Sequence, residues 1–197
     1  MRQDNRCTNL PPSEVYFMKI RAMRQDNRCT NLPPGEVYFS QPLKNNAPKE
    51  LKTILGSCVA VIVWHAKSKT AGMCHYLLVQ EAEKSKSSPV MQTYRYGEQA
   101  LDYLLKRMAS LHPLDEYELA LYGGSNMYPS VTYPSIGKVN VMFAKNWAKK
   151  NKLTFCQQDT LGHHGRSVTL ELTTGGITVI KYKDDKGGFS EHSSNDS

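Results

Sequence analysis

The stretch LKTILGSCVAVIVW, residues 51–64, decides the fold. It turns at Gly56-Ser57 and then continues as a β-branched run, which is typical of a strand buried inside a sheet. This run, residues 59–64, is far shorter than the roughly 20 apolar residues that a membrane-spanning helix needs. We therefore expect the centre of a packed sheet and no membrane insertion.

The next apolar stretch, GMCHYLLV at residues 72–79, predicts a second strand. The connection between the two, residues 66–70, is short and rich in Lys and Ser, as a hairpin connection should be. The two strands should therefore pair with each other. Such a hairpin carries His75 back towards Cys58.

The rest of the chain predicts two helices and several further strands. Leucines and a methionine recur with a helical period over residues 96–111, and a second amphipathic helix follows Ser135, a plausible N-cap. That helix places four large apolar side chains on one side, namely Ile136, Val139, Phe143 and Trp147. Strand composition marks residues 36–39, 119–122, 154–158, 167–173 and 176–182. The fold class is α/β, with mixed sheets packed against two main amphipathic helices.

The chain begins with an internal duplication. MRQDNRCTNLPP occupies residues 1–12 and returns unchanged at residues 23–34. Two copies are too few to build a solenoid, so we expect a flexible, dispensable arm. The predicted organisation is a duplicated arm over residues 1–34, one domain over 35–182, and a disordered polar tail over 183–197.

Composition, net charge and cysteine spacing limit the classes of protein to which the chain can belong. The 197 residues are 40% hydrophobic and carry a net charge of +7, which suits one soluble domain with an acidic partner. No apolar signal segment follows Met1. The five cysteines include no CxxC pair, which favours reduced thiols in the cytoplasm over a disulfide framework. They are Cys7, Cys29, Cys58, Cys74 and Cys156.

Cys58 is the candidate nucleophile. It follows Gly56-Ser57 at the mouth of a strand, where the turn exposes its sulfur and nearby backbone N–H groups can hold an oxyanion. An ordinary thiol has a pKa near 8.5, so it needs a base, and His75 is the nearest one in the predicted hairpin. Thr53 could accept a hydrogen bond from the other imidazole nitrogen. The alternative is that Cys58 and His75 are both ordinary core residues.

Other sites find less support in the sequence. His163-His164 suggests a metal, but adjacent histidines on an extended chain point to different sides, and the Cys and His spacings match no zinc pattern. Gly123-Gly124 lacks the rest of a phosphate-binding loop. The lysines of the second helix lie on a solvated face without an aromatic platform for nucleic acid. We expect no metal, no cofactor and no nucleic acid.

The order of the motifs resembles a known family, the chemoreceptor glutamine deamidases or CheD family of bacterial chemotaxis. LGSCVAV followed by the GMCH segment is the specific signal, and the similarity extends over residues 32–182. The motifs, in chain order, are LPPGEVYF (32–39), LKTILGSCVAVIVW (51–64), AGMCHYLLV (71–79), RYGEQALDYLL (95–105), YGGSNM (122–127), SIGKVN (135–140) and QDTLGHHGRSVTLEL (158–172).

This resemblance implies a cysteine hydrolase sandwich with Cys58, His75 and Thr53 as its catalytic residues. It implies deamidation of specific glutamines on methyl-accepting chemotaxis receptors, with methylesterase activity as a further possibility. It also implies a partner of the CheC phosphatase type. The sequence departs from the family pattern at Val139, where arginine is usual, and at His163, where glycine is usual.

Two other functions remain open at this point. The domain could be a non-catalytic module that binds receptors or a phosphatase, with an inert thiol. It could also be a different thiol hydrolase, such as a peptidase or a general amidase.

Overall fold

A computed structural model describes residues 29–40, 48–80, 94–127 and 135–182 of the chain. This part contains nine strands, two α-helices and one short 3-10 turn. In chain order they are β1 (Cys29–Asn31), β2 (Glu36–Ser40), β3 (Glu50–Leu55), β4 (Val59–His65), β5 (Thr70–Tyr76), α1 (Gly97–Ala109), the 3-10 turn (Leu114–Glu116), β6 (Glu118–Gly123), α2 (Ile136–Lys150), β7 (Phe155–Thr160), β8 (Arg166–Glu171) and β9 (Ile177–Lys181).

The strands form two mixed sheets. A four-stranded sheet has the order β1-β3-β8-β9, and a five-stranded sheet has the order β2-β5-β4-β6-β7. β1 pairs in parallel with β3, and β6 pairs in parallel with β7, while the other pairs are antiparallel. The predicted α/β class with mixed sheets and two helices is confirmed.

The predicted hairpin forms the centre of the five-stranded sheet. β4 and β5 are antiparallel, and every residue of both strands is buried. Burial on both faces explains why residues 59–64 are an unbroken apolar run without alternation. One face packs on the four-stranded sheet and the other on the helices, so the molecule has three layers.

Each interface between layers has its own core. Val59, Val61 and Cys74 point towards the helices and pack with α1 and α2. Ala60, Ile62 and Met73 point the other way and pack against residues of the four-stranded sheet. Because side chains alternate along a strand, His75 lies on the same face as Met73, between the two sheets.

Helix α2 buries the predicted face only in part, because Phe143 and Trp147 are half-buried against the helix-side core. Ser135 caps it as expected, its Oγ accepting from the Lys138 N–H at 3.3 Å. Ile136 and Val139, however, are 54% and 40% exposed. The buried face consists mainly of small residues, namely Gly137, Asn140, Val141, Ala144 and Ala148. Small side chains let α2 approach the five-stranded sheet more closely than a face of large apolar residues would.

Part of the second copy of the duplication is built into the fold. β1 pairs with β3, and Leu32 is buried at 5% exposure. Both lie within residues 1–34, which we predicted as an arm, so the described domain includes residues before position 35. The first copy and the predicted tail lie outside the described residues, and the three-part division stays a prediction.

Candidate active site

Thr53 and His75 face each other across the gap between the two sheets. Thr53 lies on β3 with the same parity as Leu51 and Leu55, which are both fully buried against the five-stranded sheet. His75 lies near the end of β5 and points towards the four-stranded sheet. Thr53 is 3% exposed and His75 is 1% exposed, so the pair is shielded from water.

The hydrogen bonds of this pair determine the tautomer of His75. Thr53 Oγ1 donates to the Leu32 carbonyl at 2.8 Å, so its proton is already used. His75 Nδ1 lies 2.7 Å from the same Oγ1 and 3.4 Å from the Leu32 carbonyl, which can only accept. Nδ1 therefore carries the ring proton and donates it to Thr53. The lone pair of the imidazole is on Nε2.

His75 Nε2 is buried and has no hydrogen-bond partner among the described residues. Burial lowers the pKa of His75 below its ordinary value near 6.5, although the Leu32 carbonyl opposes this shift. The ring is therefore neutral at pH 7. A neutral imidazole with a free Nε2 lone pair is the form that a general base requires.

Cys58 precedes β4 and lies beside the end of β5. Val59 pairs with Tyr76, and Ala60 pairs with His75, so the hairpin brings Cys58 to the strand end that carries His75. Cys58 is half-buried, whereas Cys74 is fully buried in the helix-side core. Burial raises the pKa of the Cys58 thiol, and a hydrogen bond from its own backbone N–H reduces this effect. The pKa of Cys74 is raised to about 12, which makes it inert.

Residues 56–58, which we call the nucleophile loop after the candidate nucleophile Cys58, have three consecutive carbonyls that all accept hydrogen bonds. The Gly56 carbonyl accepts from the Ser125 N–H at 2.8 Å, and the Cys58 carbonyl accepts from the Gly124 N–H at 2.8 Å. Between them, the Ser57 carbonyl accepts from Asn140 Nδ2 at 3.1 Å. From the sequence, Gly123-Gly124 is considered only as a phosphate-binding loop or within the motif YGGSNM, and Asn140 only within the motif SIGKVN, so this role is missed.

Glycine is required where β6 and α2 approach this loop. Gly123 has a φ of +104°, and a Cβ there would lie 2.2 Å from the Cys58 carbonyl oxygen. A Cβ on Gly137, at the start of α2, would lie 2.3 Å from the Gly124 carbonyl oxygen. The pattern of GG and IGxxN in the sequence is thus a packing requirement of the site rather than a phosphate-binding signal.

A buried arginine organises the loop that follows β7. Arg166 is 2% exposed and donates to Asp159 Oδ1 at 2.8 Å and to Ser125 Oγ at 3.0 Å. It also donates to the backbone carbonyls of Asp159 and Leu161. Ser125 in turn donates to the His164 carbonyl at 2.6 Å. Arg166 thereby connects the loop over residues 161–165 to the segment that holds the nucleophile loop.

The adjacent histidines of the sequence lie in the loop that follows β7. His163 and His164 are exposed, and His163 Nδ1 lies 3.2 Å from the Asn126 carbonyl. In the described ranges, no group of three or more His, Cys, Asp or Glu side chains is arranged to hold a metal ion. None of the helices described is long and apolar enough to cross a membrane.

Comparison with known proteins places this chain in a family. A family model described as CheD chemotactic sensory transduction matches residues 77–181, slightly more than half of the chain. The chain belongs to the CheD family. It is 34% identical over 139 residues to a probable chemoreceptor glutamine deamidase CheD of Pseudomonas syringae pv. tomato, covering 67% of this chain and 79% of that protein.

Similar CheD proteins occur in distant organisms. A probable chemoreceptor glutamine deamidase CheD of Methanococcus vannielii is 33% identical over 137 residues, covering 68% of this chain and 86% of that protein. One from Pseudomonas fluorescens is 30% identical over 138 residues. The matched segment of the CheD model begins just after His75 and includes Asn140 and Arg166.

Proposed function

We propose that this CheD-family protein deamidates specific glutamines on the cytoplasmic helices of methyl-accepting chemotaxis receptors, with Cys58 as nucleophile, His75 as general base and Thr53 as its orienting partner. The proposal is supported by the names of the similar proteins, probable chemoreceptor glutamine deamidases. The observation that carries the chemistry is the Thr53–His75 hydrogen bond of 2.7 Å, which leaves the Nε2 lone pair of a neutral imidazole unpaired at the strand end to which the hairpin brings Cys58.

The first half of the reaction replaces an amide by a thioester. His75 Nε2 takes the proton of the Cys58 thiol while the sulfur attacks the carboxamide carbon of glutamine, forming a C–S bond and an oxyanion. Backbone N–H groups around Ser57 and Cys58 stabilise that oxyanion. The intermediate collapses, the C–N bond breaks, and the imidazolium gives its proton to the departing nitrogen, which leaves as ammonia.

The second half restores the enzyme. Water attacks the thioester carbon while His75 takes one of its protons, and the C–S bond then breaks. The product is a glutamate side chain, and Cys58 regains its proton from His75. No cofactor enters these steps. The same thioester pathway accepts a methyl ester in place of the amide, with methanol leaving, which is the basis for methylesterase activity as part of the proposal.

The resting state of this site is a neutral pair rather than a thiolate and an imidazolium. Burial raises the pKa of Cys58 and lowers the pKa of His75, and both shifts favour the uncharged forms. The proton therefore moves during attack. His75 acts as a general base at that moment and not as the partner of a preformed ion pair.

The direct test uses a receptor cytoplasmic fragment incubated with the protein and analysed by mass spectrometry. We expect conversion of particular glutamines to glutamates and no conversion with Cys58→Ala. Cys156→Ala is the matched control, because Cys156 is an exposed cysteine on β7. Its activity should equal that of the wild type. Undiminished conversion by Cys58→Ala would refute the proposed nucleophile.

The raised pKa of Cys58 favours one second candidate, a non-catalytic module that binds receptors or a CheC-type phosphatase. The same assay separates the two. A fragment that binds the wild type and Cys58→Ala equally, without any change of glutamine mass, would support the binding module. Under either proposal, the protein lies in the cytoplasm, binds chemotaxis receptors and has a partner of the CheC type.

A further inference from the structure

We propose that Asn140 is a positioning residue that builds the oxyanion site of this enzyme. The inference rests on the proposed deamidase function and deepens it. Asn140 lies on α2, is 1% exposed, and its Nδ2 donates to the Ser57 carbonyl at 3.1 Å and to the Leu77 carbonyl at 2.7 Å. One side-chain amide thus connects the nucleophile loop to the segment that follows the His75 strand.

The Ser57 contact fixes the direction of the next backbone N–H. In a trans peptide, the C=O and the N–H point in opposite directions. Because the Ser57 carbonyl points at Asn140, the N–H of Cys58 points away from α2. The Gly56 carbonyl is held by the Ser125 N–H, so the Ser57 N–H points away from Ser125.

These two N–H groups are the candidates for the oxyanion site. Neither donates to a backbone carbonyl within the described ranges. Donors held in place before the reaction stabilise a developing oxyanion without reorganisation, and the loss of one donor typically costs 10²–10³-fold in turnover. Asn140 does not touch the substrate; it acts by aiming the Cys58 N–H.

Asn140 is also the one side chain among the three donors that hold the Gly56, Ser57 and Cys58 carbonyls. The other two are the backbone N–H groups of Ser125 and Gly124, which substitution does not remove. α2 keeps other anchors without the Asn140 amide. The Tyr76 hydroxyl donates to the Asn140 main-chain carbonyl at 2.6 Å, and Ser135 caps the helix. Asn140→Ala therefore removes the aiming contact while leaving the helix anchored.

Two reactions of Cys58 distinguish whether Asn140 orients the Cys58 N–H or only stabilises the fold. Deamidation passes through an oxyanion, whereas alkylation by iodoacetamide is a displacement at carbon that forms none. For Asn140→Ala we expect kcat for a receptor fragment to fall by about 10²-fold, with KM within about threefold of the wild type. The alkylation rate of Cys58, measured above its pH midpoint where the thiolate predominates, should stay within about twofold of the wild type.

Asn151→Ala is the matched control. Asn151 follows the C-terminal end of the same helix, and its Nδ2 donates to the Trp147 carbonyl at 2.8 Å, away from the loop. We expect its kcat to equal that of the wild type. An Asn140→Ala variant that keeps its kcat, or that loses deamidation and alkylation in equal proportion, would overturn the role of Asn140.

The isosteric variant Asn140→Asp keeps the test decisive even where Asn140→Ala folds poorly. A protonated carboxyl donates one hydrogen bond, whereas a carboxylate repels both carbonyls. The kcat of Asn140→Asp, relative to the wild type at each pH, should therefore rise as the pH falls, and a flat ratio contradicts the proposal. If the wild type itself converts no glutamine, the deamidase function fails; if it converts glutamine and Asn140→Ala matches it, only this inference fails.

Discussion

At the scale of single residues, the site depends on one hydroxyl that can donate only once. Thr53 gives its proton to the Leu32 carbonyl and must accept from His75 Nδ1. That constraint places the basic lone pair on Nε2 without any carboxylate in the pair. A neutral orienting group also leaves the imidazole pKa to be set by burial, which lowers it.

Substitution of Thr53 tests this constraint. Thr53→Val keeps the shape but removes both the acceptor for Nδ1–H and the donor to Leu32. We expect kcat to fall about fivefold or more, since one net hydrogen bond is worth roughly 1 kcal/mol. Thr53→Ser keeps the hydroxyl and should stay within about threefold of the wild type. Steady-state deamidation kinetics measure both, and equal activities of Val and Ser would contradict an orienting role.

The lowered pKa of His75 predicts the acid limb of the pH profile. The folded-state pKa lies below the ordinary value near 6.5, so His75 stays unprotonated at pH 7 and becomes protonated only at more acidic pH. We expect the acid limb of kcat/KM for deamidation to have its midpoint below the ordinary imidazole pKa near 6.5. A limb centred above pH 7 would show that His75 is not the base or is not buried.

At the scale of elements, the nucleophile loop is held by the end of β6 and the start of α2. The contact distances leave no room for side chains at Gly123 or Gly137. Because these glycines have no side chain, the N–H groups of Gly124 and Ser125 can reach the carbonyls of the loop that carries Cys58. The arrangement depends on close backbone approach, so it is sensitive to a single added methyl group.

Gly123→Ala tests this close approach against a matched glycine. An alanine at Gly123 combines a φ of +104° with a Cβ 2.2 Å from the Cys58 carbonyl oxygen. Gly162 has a φ of +77°, but a Cβ there meets nothing within 4 Å. Gly162→Ala should therefore lower the free energy of unfolding only by the backbone strain of roughly 1–2 kcal/mol. Thermal unfolding should therefore show a clearly larger loss of Tm for Gly123→Ala, accompanied by loss of deamidation. Equal Tm losses would show that β6 can move away from the loop at little cost.

At the scale of the whole molecule, the site is assembled from both sheets and the segment that joins them. Residues 29–40 form an edge strand of each sheet, β1 and β2, and contribute the Leu32 carbonyl between them. Cys58 and His75 come from the five-stranded sheet, and Thr53 comes from the four-stranded one. Loss of the joining segment would therefore disturb both sheets and the orientation of His75.

Two truncations separate the copies of the duplication. Removal of residues 1–22 leaves the second copy in place, and we expect Tm and deamidation rate to equal those of the full chain. Removal of residues 1–34 also deletes β1 and Leu32, so Tm should fall and kcat should drop by at least tenfold. Thermal unfolding gives the Tm of each truncated chain, and the receptor assay gives its deamidation rate. A fully active chain without residues 1–34 would contradict the role of the Leu32 carbonyl.

Local sequence patterns predict most of the elements and the candidate residues, although β1 lies within the stretch predicted as an arm. The β-branched run of β4, the Lys- and Ser-rich connection and the leucine period of α1 are local patterns, and local patterns fix strand, turn and helix. The hairpin folds β5 back along β4 and so brings Cys58 to the strand end that carries His75. This proximity was predictable from the sequence. Thr53 was a plausible partner because it precedes the same turn.

Only the tertiary structure decided how these residues act. The tautomer of His75 depends on the Leu32 carbonyl, a backbone group that carries no signal in the residue type. The buried face of α2 depends on how closely it meets Gly124, which outweighs the preference of Ile136 and Val139 for burial. Asn140, Gly123 and Arg166 act on residues far away in sequence, and such contacts exist only once the sheets and helices have packed together.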